Sequence, residues 1–317
     1  MGQACTKKSH SAPIQDELEP EIHFKTYKST FDGHYTKVEG EFNILQYFQL
    51  FEYLTILTNL EIHHLNAPVV IPKIETSTLL ANNADSAPGL VVPEKAFLAE
   101  LTKADFQVFL ENKVMKNFVV FAQVMKDETN ANIFKEFMVE LFDALILCYV
   151  DLYKKKNPGV KVLKGQIKSL KKLVIISIGL LFCKSSNRSK VNFFFNLFLN
   201  ENGRFEKSQD LEDFLFFLFI IPSTCSLRVV KKLGDRYEKI TKIDDESYLK
   251  LLDAFEIKDI LRLKDIFIKN FFLGGKTLTK TEFEFKFVNE DFGWIFSTNG
   301  IRENLEKSND IKPPEEE

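Results

Sequence analysis

The sequence predicts a mainly α protein with a helical N-terminal lobe and a second, C-terminal helical lobe. Three observations lead there. Apolar residues recur at three- and four-residue spacing over long stretches, as in Phe42, Leu45, Phe48, Phe51, Leu54 and Leu57. Only 13 Gly and 10 Pro punctuate 317 residues, too few for a many-turned β architecture. Units of helix, short loop and helix follow one another in imperfect copies. The 32 Phe either fill a thick core or supply anchors for partners. A net charge of -3 provides no field for nucleic acid, which is not expected as a partner.

Residues 1–37 read as a flexible N-terminal arm. Met1-Gly2-Gln3-Ala4-Cys5-Thr6 fits the pattern that marks Gly2 for myristate after removal of Met1, and Cys5 is placed for palmitate. One acyl chain anchors only marginally, so Cys5 or Lys7 and Lys8 would be the second signal that holds an anionic membrane surface. The alternative is a chance match in an ordinary tail. No apolar core follows the start, so a secretory signal is not expected and the cytoplasmic side is. The apolar runs Leu173–Cys183 and Phe214–Ile221 are shorter than the ~20 residues of a membrane span. Cys5, Cys148, Cys183 and Cys225 show no paired spacing, so neither a disulfide framework nor a metal site is indicated.

Residues 38–157 form the first lobe. Phe42–Ile62 is its first amphipathic helix, and residues 66–93, with four prolines, form a long loop. Phe97–Phe121 and Ile133–Tyr153 read as further long helices. His63-His64 point to different sides of any element and read as structural. Glu136, Glu140 and Asp143 share a helical face with no nucleophile or His partner, which reads as a solvated acidic face. No catalytic constellation is found anywhere, and an enzyme is not expected.

Asn157-Pro158-Gly159 marks the boundary to the second lobe, residues 160–306. Lys161, Lys164, Lys168, Lys171 and Lys172 alternate with Val160, Leu163, Ile167, Leu170 and Val174, which predicts a basic amphipathic helix. It would face anionic lipid, an acidic protein surface such as tubulin or a calmodulin-type groove, or else be a solvated face of a core helix. An apolar helix starts near Ile175, a polar break covers Lys184–Ser189, and a second helix ends in Phe194, Phe195 and Phe198. A loop of Asn200, Asn202 and Gly203 leads to a third helix near Gln209. The chain breaks at Pro222-Ser223-Thr224 and resumes over Leu227–Ile240, then Tyr248–Phe255 and Ile257–Phe272. After the loop Leu273–Thr277, Thr279 and Glu282 have capping-box spacing. Phe283–Phe296, with Trp294, reads as one exit helix. Leu101–Phe106 echoes Leu278–Phe283. Residues 307–317 form an acidic tail.

The order of helix, Asn/Gly loop and helix over Ile175–Phe219, with its second copy ending Leu278-Thr279-Lys280-Thr281-Glu282-Phe283, resembles the EF-hand family, in particular the neuronal-calcium-sensor and calcineurin-B-like branch. The resemblance implies a C-terminal pair of EF-hands. A working loop of about 12 residues needs oxygens at positions one, three, five, seven, nine and twelve, with Gly at six. With Gly203 at six, Asn200, Asn202 and Glu206 are usable, but position one is Phe198 and position twelve is Gln209. With Glu282 at twelve, positions one, three, five and six are Phe271, Leu273, Gly275 and Lys276. The hands are therefore degenerate, and no cofactor is expected besides covalent myristate and palmitate. In the family an opened pair takes a partner's amphipathic helix. Here Phe194, Phe195, Phe198, Phe214, Phe217, Phe283 and Trp294 would line such a groove, or simply form the core. The expected function is a non-catalytic interaction or scaffold protein, lipid-anchored or built into a cytoskeletal assembly such as an axonemal microtubule. A calcium-dependent membrane-associated sensor is the alternative.

Overall fold

The computed structural model describes residues 22–30, 33, 100–108, 128–156, 167–238, 240 and 242–309. The described chain is mainly helical, as the sequence predicts. Its elements are β1 (Glu100–Thr102), α1 (Lys103–Val108), α2 (Glu128–Lys156), β2 (Ser169–Lys171), α3 (Lys172–Phe182) and α4 (Asn187–Leu197). There follow β3 (Phe205–Glu206), α5 (Gln209–Ile220), α6 (Ser226–Gly234), α7 (Asp245–Ala254), α8 (Ile257–Phe272), β4 (Thr277–Leu278), α9 (Lys280–Asn289) and α10 (Thr298–Asn309).

The strands are short antiparallel ladders between loops. Leu101 of β1 faces Leu170 of β2, and Phe205 of β3 faces Leu278 of β4. Each strand is followed within two residues by a helix or its cap, and the β3–β4 ladder joins two helix–loop–helix units, α4 with α5 and α8 with α9, side by side. Glu100–Thr102 and Ser169–Lys171 were expected to be helical. Three residues are too few to show a two-residue period, which is why the strands do not stand out.

Local chemistry places the helix starts. Ser186, Ser208, Asp244 and Thr279 each accept a bond from the backbone N–H three residues on, at α4, α5, α7 and α9. At Thr279 the box is complete, because the Glu282 carboxylate accepts the Thr279 N–H at 2.7 Å. Asp105 closes the same box on Thr102 at the start of α1.

The expected break at Pro222-Ser223-Thr224 is absent. Ile221–Cys225 forms a single wide π turn that joins α5 to α6, with Pro222 in its first turn. The wide turn accommodates the ring and the missing N–H of Pro222 inside the helix, and Ser223 donates back to the Phe219 carbonyl at 2.9 Å. The resulting helix, Gln209–Gly234, is 26 residues long and holds an 18-residue window of mean hydropathy 1.7, long and apolar enough to cross a membrane by composition. In this fold 89% of its apolar window is buried inside the protein. It packs on α3 and α8 as the central helix of one continuous apolar cluster.

Other expectations change. The boundary at 157–160 does not separate the packing, because the β1–β2 ladder and the α2–α6 contact both cross it. The exit helix expected to reach Phe296 stops at Asn289. Asp291 then takes a left-handed conformation (φ 54°), and Phe292–Phe296 forms a 3-10 turn. Lys307 belongs to α10 and not to an extended tail. Within the expected arm, residues 22–30 lie against the C-terminal segment, with Ile22, Tyr27 and Ser29 buried. Glu136 and Glu140 are not merely solvated: Arg236 reaches Glu140 at 3.1 Å and Lys232 also pairs with it, tying α2 to α6. Gly2, Cys5, the helix Phe42–Ile62, the loop 66–93, Lys161, Lys164 and the tail beyond Asn309 lie outside the described residues.

Candidate docking groove and paired loops

The loop before β3 is closed on itself. The Asn200 side-chain oxygen accepts the N–H groups of Asn202 and Arg204, both at 3.0 Å, and its own N–H donates to the Arg204 carbonyl at 2.8 Å. Gly203 supplies the left-handed turn this requires (φ 70°). Asn202 and Glu206 are exposed, and Gln209 donates to Asp213 at 2.8 Å. Asn200, Asn202 and Gly203 thus share one closed turn, while Glu206 lies on β3 and Gln209 at the start of α5.

A cation already sits between the two loops. The Arg204 guanidinium donates to the Thr277 hydroxyl at 2.9 Å and lies 3.6 Å from the Glu282 carboxylate. Glu282 is held below the usual carboxylate range, first by the Thr279 N–H and hydroxyl and then by Arg204. Counting Gly203 as sixth and Glu282 as twelfth makes Phe205 and Leu278 both the eighth residue of their loops. These two residues face each other in the ladder. Among the described residues no cluster of His, Cys, Asp or Glu is grouped as a metal ion would require.

The other ladder repeats the theme. Asp105 caps α1, and its charge acts on Lys172 at the start of α3. Lys172 is 3% exposed, and burial pushes its ammonium down to about 8, with Asp105 opposing that shift. Lys171 instead points to Asp210, 2.6 Å away. Of the expected basic helix, then, Lys168 is exposed, Lys171 is ion-paired on a strand and Lys172 is buried. The reason is the ladder, which interrupts the helical period at Ser169, leaves Lys171 against Asp210 and turns Lys172 inward.

The aromatic residues expected to line a partner groove are buried. Phe194, Phe205, Phe214 and Phe283 meet at ring separations of 4.6–5.9 Å, with Phe195 and Phe198 around them. Phe217 stacks on Tyr149 of α2 at 5.8 Å. What fills the space between α4, α5, α8 and α9 is the chain's own turn Phe292–Phe296. Phe296 meets Phe194 and Phe287 at 5.6 Å, Trp294 meets Phe219 at 5.3 Å and Phe292 meets Phe271 at 5.0 Å. Trp294 is thus an occupant of the groove rather than part of its wall.

Two further elements hold this plug. Arg302 of α10 is fully buried and donates to the Pro222 carbonyl at 3.2 Å, so the π turn also serves as an anchor point. Residues 22–30 then cross over the plug. Phe24 stacks on Phe296 at 5.9 Å, the Tyr27 hydroxyl donates to Asp291 at 2.7 Å, and Lys25 reaches the same carboxylate at 2.9 Å. The N–H groups of Lys28 and Thr30 donate to Glu303 and Glu306 at 2.9 and 3.0 Å, and the Ser29 hydroxyl donates to Glu306. Burial and Asp291 together raise the Tyr27 phenol, which stays protonated as a donor.

Sequence reasoning missed one close approach. The Cys148 and Cys225 sulfurs lie 3.5 Å apart, both buried and both free thiols. They are 77 positions apart, and no local spacing signals the contact.

No protein-family model, curated protein or solved structure matches this chain.

Proposed function

We propose that this chain is a non-catalytic, EF-hand-like interaction or scaffold protein that keeps its shape without calcium. The two helix–loop–helix units joined by the β3–β4 ladder, with equivalent loop positions facing each other, support the EF-hand-like reading. The observation that carries the calcium independence is Arg204, bonded to Thr277 and adjacent to Glu282. A divalent ion in that loop would be repelled by the guanidinium and would have to displace the amides that already hold Asn200.

The closed groove fits the same reading. In a sensor the binding of the ion opens the groove to a partner. Here the aromatic turn Phe292–Phe296 occupies it and residues 22–30 cover it, so partners meet the outer surface. The Gly2 and Cys5 pattern supports anchorage on a cytoplasmic membrane face through myristate and palmitate. Assembly on a cytoskeletal filament such as a microtubule is the other setting of the same scaffold role.

Thermal unfolding of the full chain in millimolar calcium and in a calcium chelator tests it. The two melting curves should coincide. A melting temperature that climbs with calcium concentration would reveal an ion bound to the folded state, by mass action, and would favour the sensor instead.

A further inference from the structure

We propose that the face where the end of α2 meets α8 docks an acidic peptide segment of a partner protein. The proposal rests on the interaction-protein reading and gives its partner a chemistry. The face is a depression of about 420 Å³ in which Lys155, Lys258, Arg262 and Lys269 surround Leu261 and Ile266. Ile266 is 40% exposed, one of the few large apolar side chains of the core-forming helices left in water. One carboxylate, Asp265, shares the lining, 3.0 Å from Lys264, which also holds Glu212 at 2.8 Å. Glu256 at the helix start lies 3.0 Å from Lys258, and the four lining cations still outnumber Glu256 and Asp265.

The spacing gives the site a length. Lys258, Arg262, Ile266 and Lys269 recur at four, four and three residues, so they share one face of α8. At about 1.5 Å per residue the stripe is roughly 16 Å long, which an extended peptide covers with about five residues. Carboxylates on alternate positions would meet the cations while one apolar side chain rests on Ile266 and Leu261. The small apolar area favours a peptide over a bilayer: Ile266 is exposed and Leu261 half-buried, too little to enter a membrane, whose binding grows with the apolar area buried. The Ser308 carbonyl accepts a bond from Arg262, so the test includes the chain's own acidic residues after Asn309 as a competitor.

The test is fluorescence anisotropy of a labelled Glu-Glu-Leu-Glu-Glu-Glu peptide with the full chain, in chelator and at physiological salt. Binding should saturate and weaken about tenfold in the double variant Lys258→Glu/Lys269→Glu. Ile266→Ser should weaken it about threefold. The charge-matched control Lys250→Glu/Lys280→Glu, at exposed lysines elsewhere, should stay within about twofold. Near-ultraviolet circular dichroism identical to the parent confirms that each variant is folded. Equal losses in the two double variants would reduce the effect to net charge and overturn the proposal. So would binding to phosphatidylserine vesicles that depends on Lys258 and Lys269 without any peptide binding. Truncation after Asn309 that tightens peptide binding about tenfold would make the resident occupant the chain's own tail, which also overturns an intermolecular site. Peptide binding that requires calcium would sink the constitutive reading and leave the face intact, while silence toward both leaves that reading and removes the face.

Discussion

Replacing Gly293 by Ala should detach the crossing segment 22–30 while leaving the helical body folded. A Cβ at Gly293 would come within 2.6 Å of three carbons on one edge of the Phe24 ring, well inside van der Waals contact. The ring must leave its stack on Phe296, and whether the segment follows depends on how firmly it is held. Burial of Ile22, Phe24 and Tyr27 contributes roughly 6 kcal/mol. The hydrogen bonds of Tyr27, Lys28, Ser29 and Thr30 to Asp291, Glu303 and Glu306, with that of Asn187 to the Ile22 carbonyl, add about 5–7 kcal/mol. Ordering the segment opposes these with about 1–2 kcal/mol per residue, roughly 13 kcal/mol in all. The two sides cancel to within a few kcal/mol, so a clash of about 1–3 kcal/mol is enough to release it. Limited trypsin digestion read by mass spectrometry is the assay, since Lys25 and Lys28 lie in the segment. The parent should resist cleavage there and Gly293→Ala should be cut early, with urea stability lowered by no more than about 3 kcal/mol. Equal protection in both proteins would refute this reasoning, as would loss of the whole fold.

Lys172→Met should stabilise the protein at pH 7 by about 1–2 kcal/mol, because it removes a buried charge that also opposes the N-terminal dipole of α3. The unfolded lysine releases its proton near 10.5 and the folded one near 8, so between these values the unfolded chain holds more protons and native stability from this group rises with pH. The advantage of Lys172→Met measured by urea unfolding should therefore shrink from pH 7 to pH 10, and a constant or growing advantage would contradict it. Phe205→Ala should cost about 3–5 kcal/mol in the same assay, since this fully buried ring touches Phe194, Phe271, Phe272 and Phe283 and its backbone forms the ladder to Leu278. Cys148, Cys183 and Cys225 are buried, and burial and Cys148 together push the Cys225 thiol up, so all three should react with a thiol reagent only as fast as the protein unfolds.

Much of the helical frame was legible because its signals are local. The polar break at Lys184–Ser189 holds the cap Ser186, Gly203 takes the positive φ its loop needs, and Thr279 with Glu282 forms the capping box its spacing announces. The echo between Leu101–Phe106 and Leu278–Phe283 also has a physical meaning, since both begin in a strand and enter a capped helix. What was not legible depends on partners distant in sequence. Lys171 and Lys172 continue a helical lysine pattern on paper, and only pairing of Leu170 with Leu101 turns them out of it. Pro222 reads as a breaker unless the wide turn that absorbs it is known. Tyr27 finds Asp291 and Ser29 finds Glu306 across more than 260 positions, so nothing near residue 27 distinguishes a clasp from a loose arm. The aromatic groove was visible as composition, but its occupant, Phe292–Phe296, looked like the tail of a helix until Asp291 turned left-handed.

Calorimetric titration of the full chain with calcium, with and without competing magnesium and with Trp294 fluorescence followed in parallel, tests the constitutive scaffold most directly. Arg204 between the loops predicts no saturable heat and no change in Trp294 emission. Saturable micromolar binding accompanied by a shift of Trp294, which would mean that the ion displaces Arg204 and moves the plug, would contradict it.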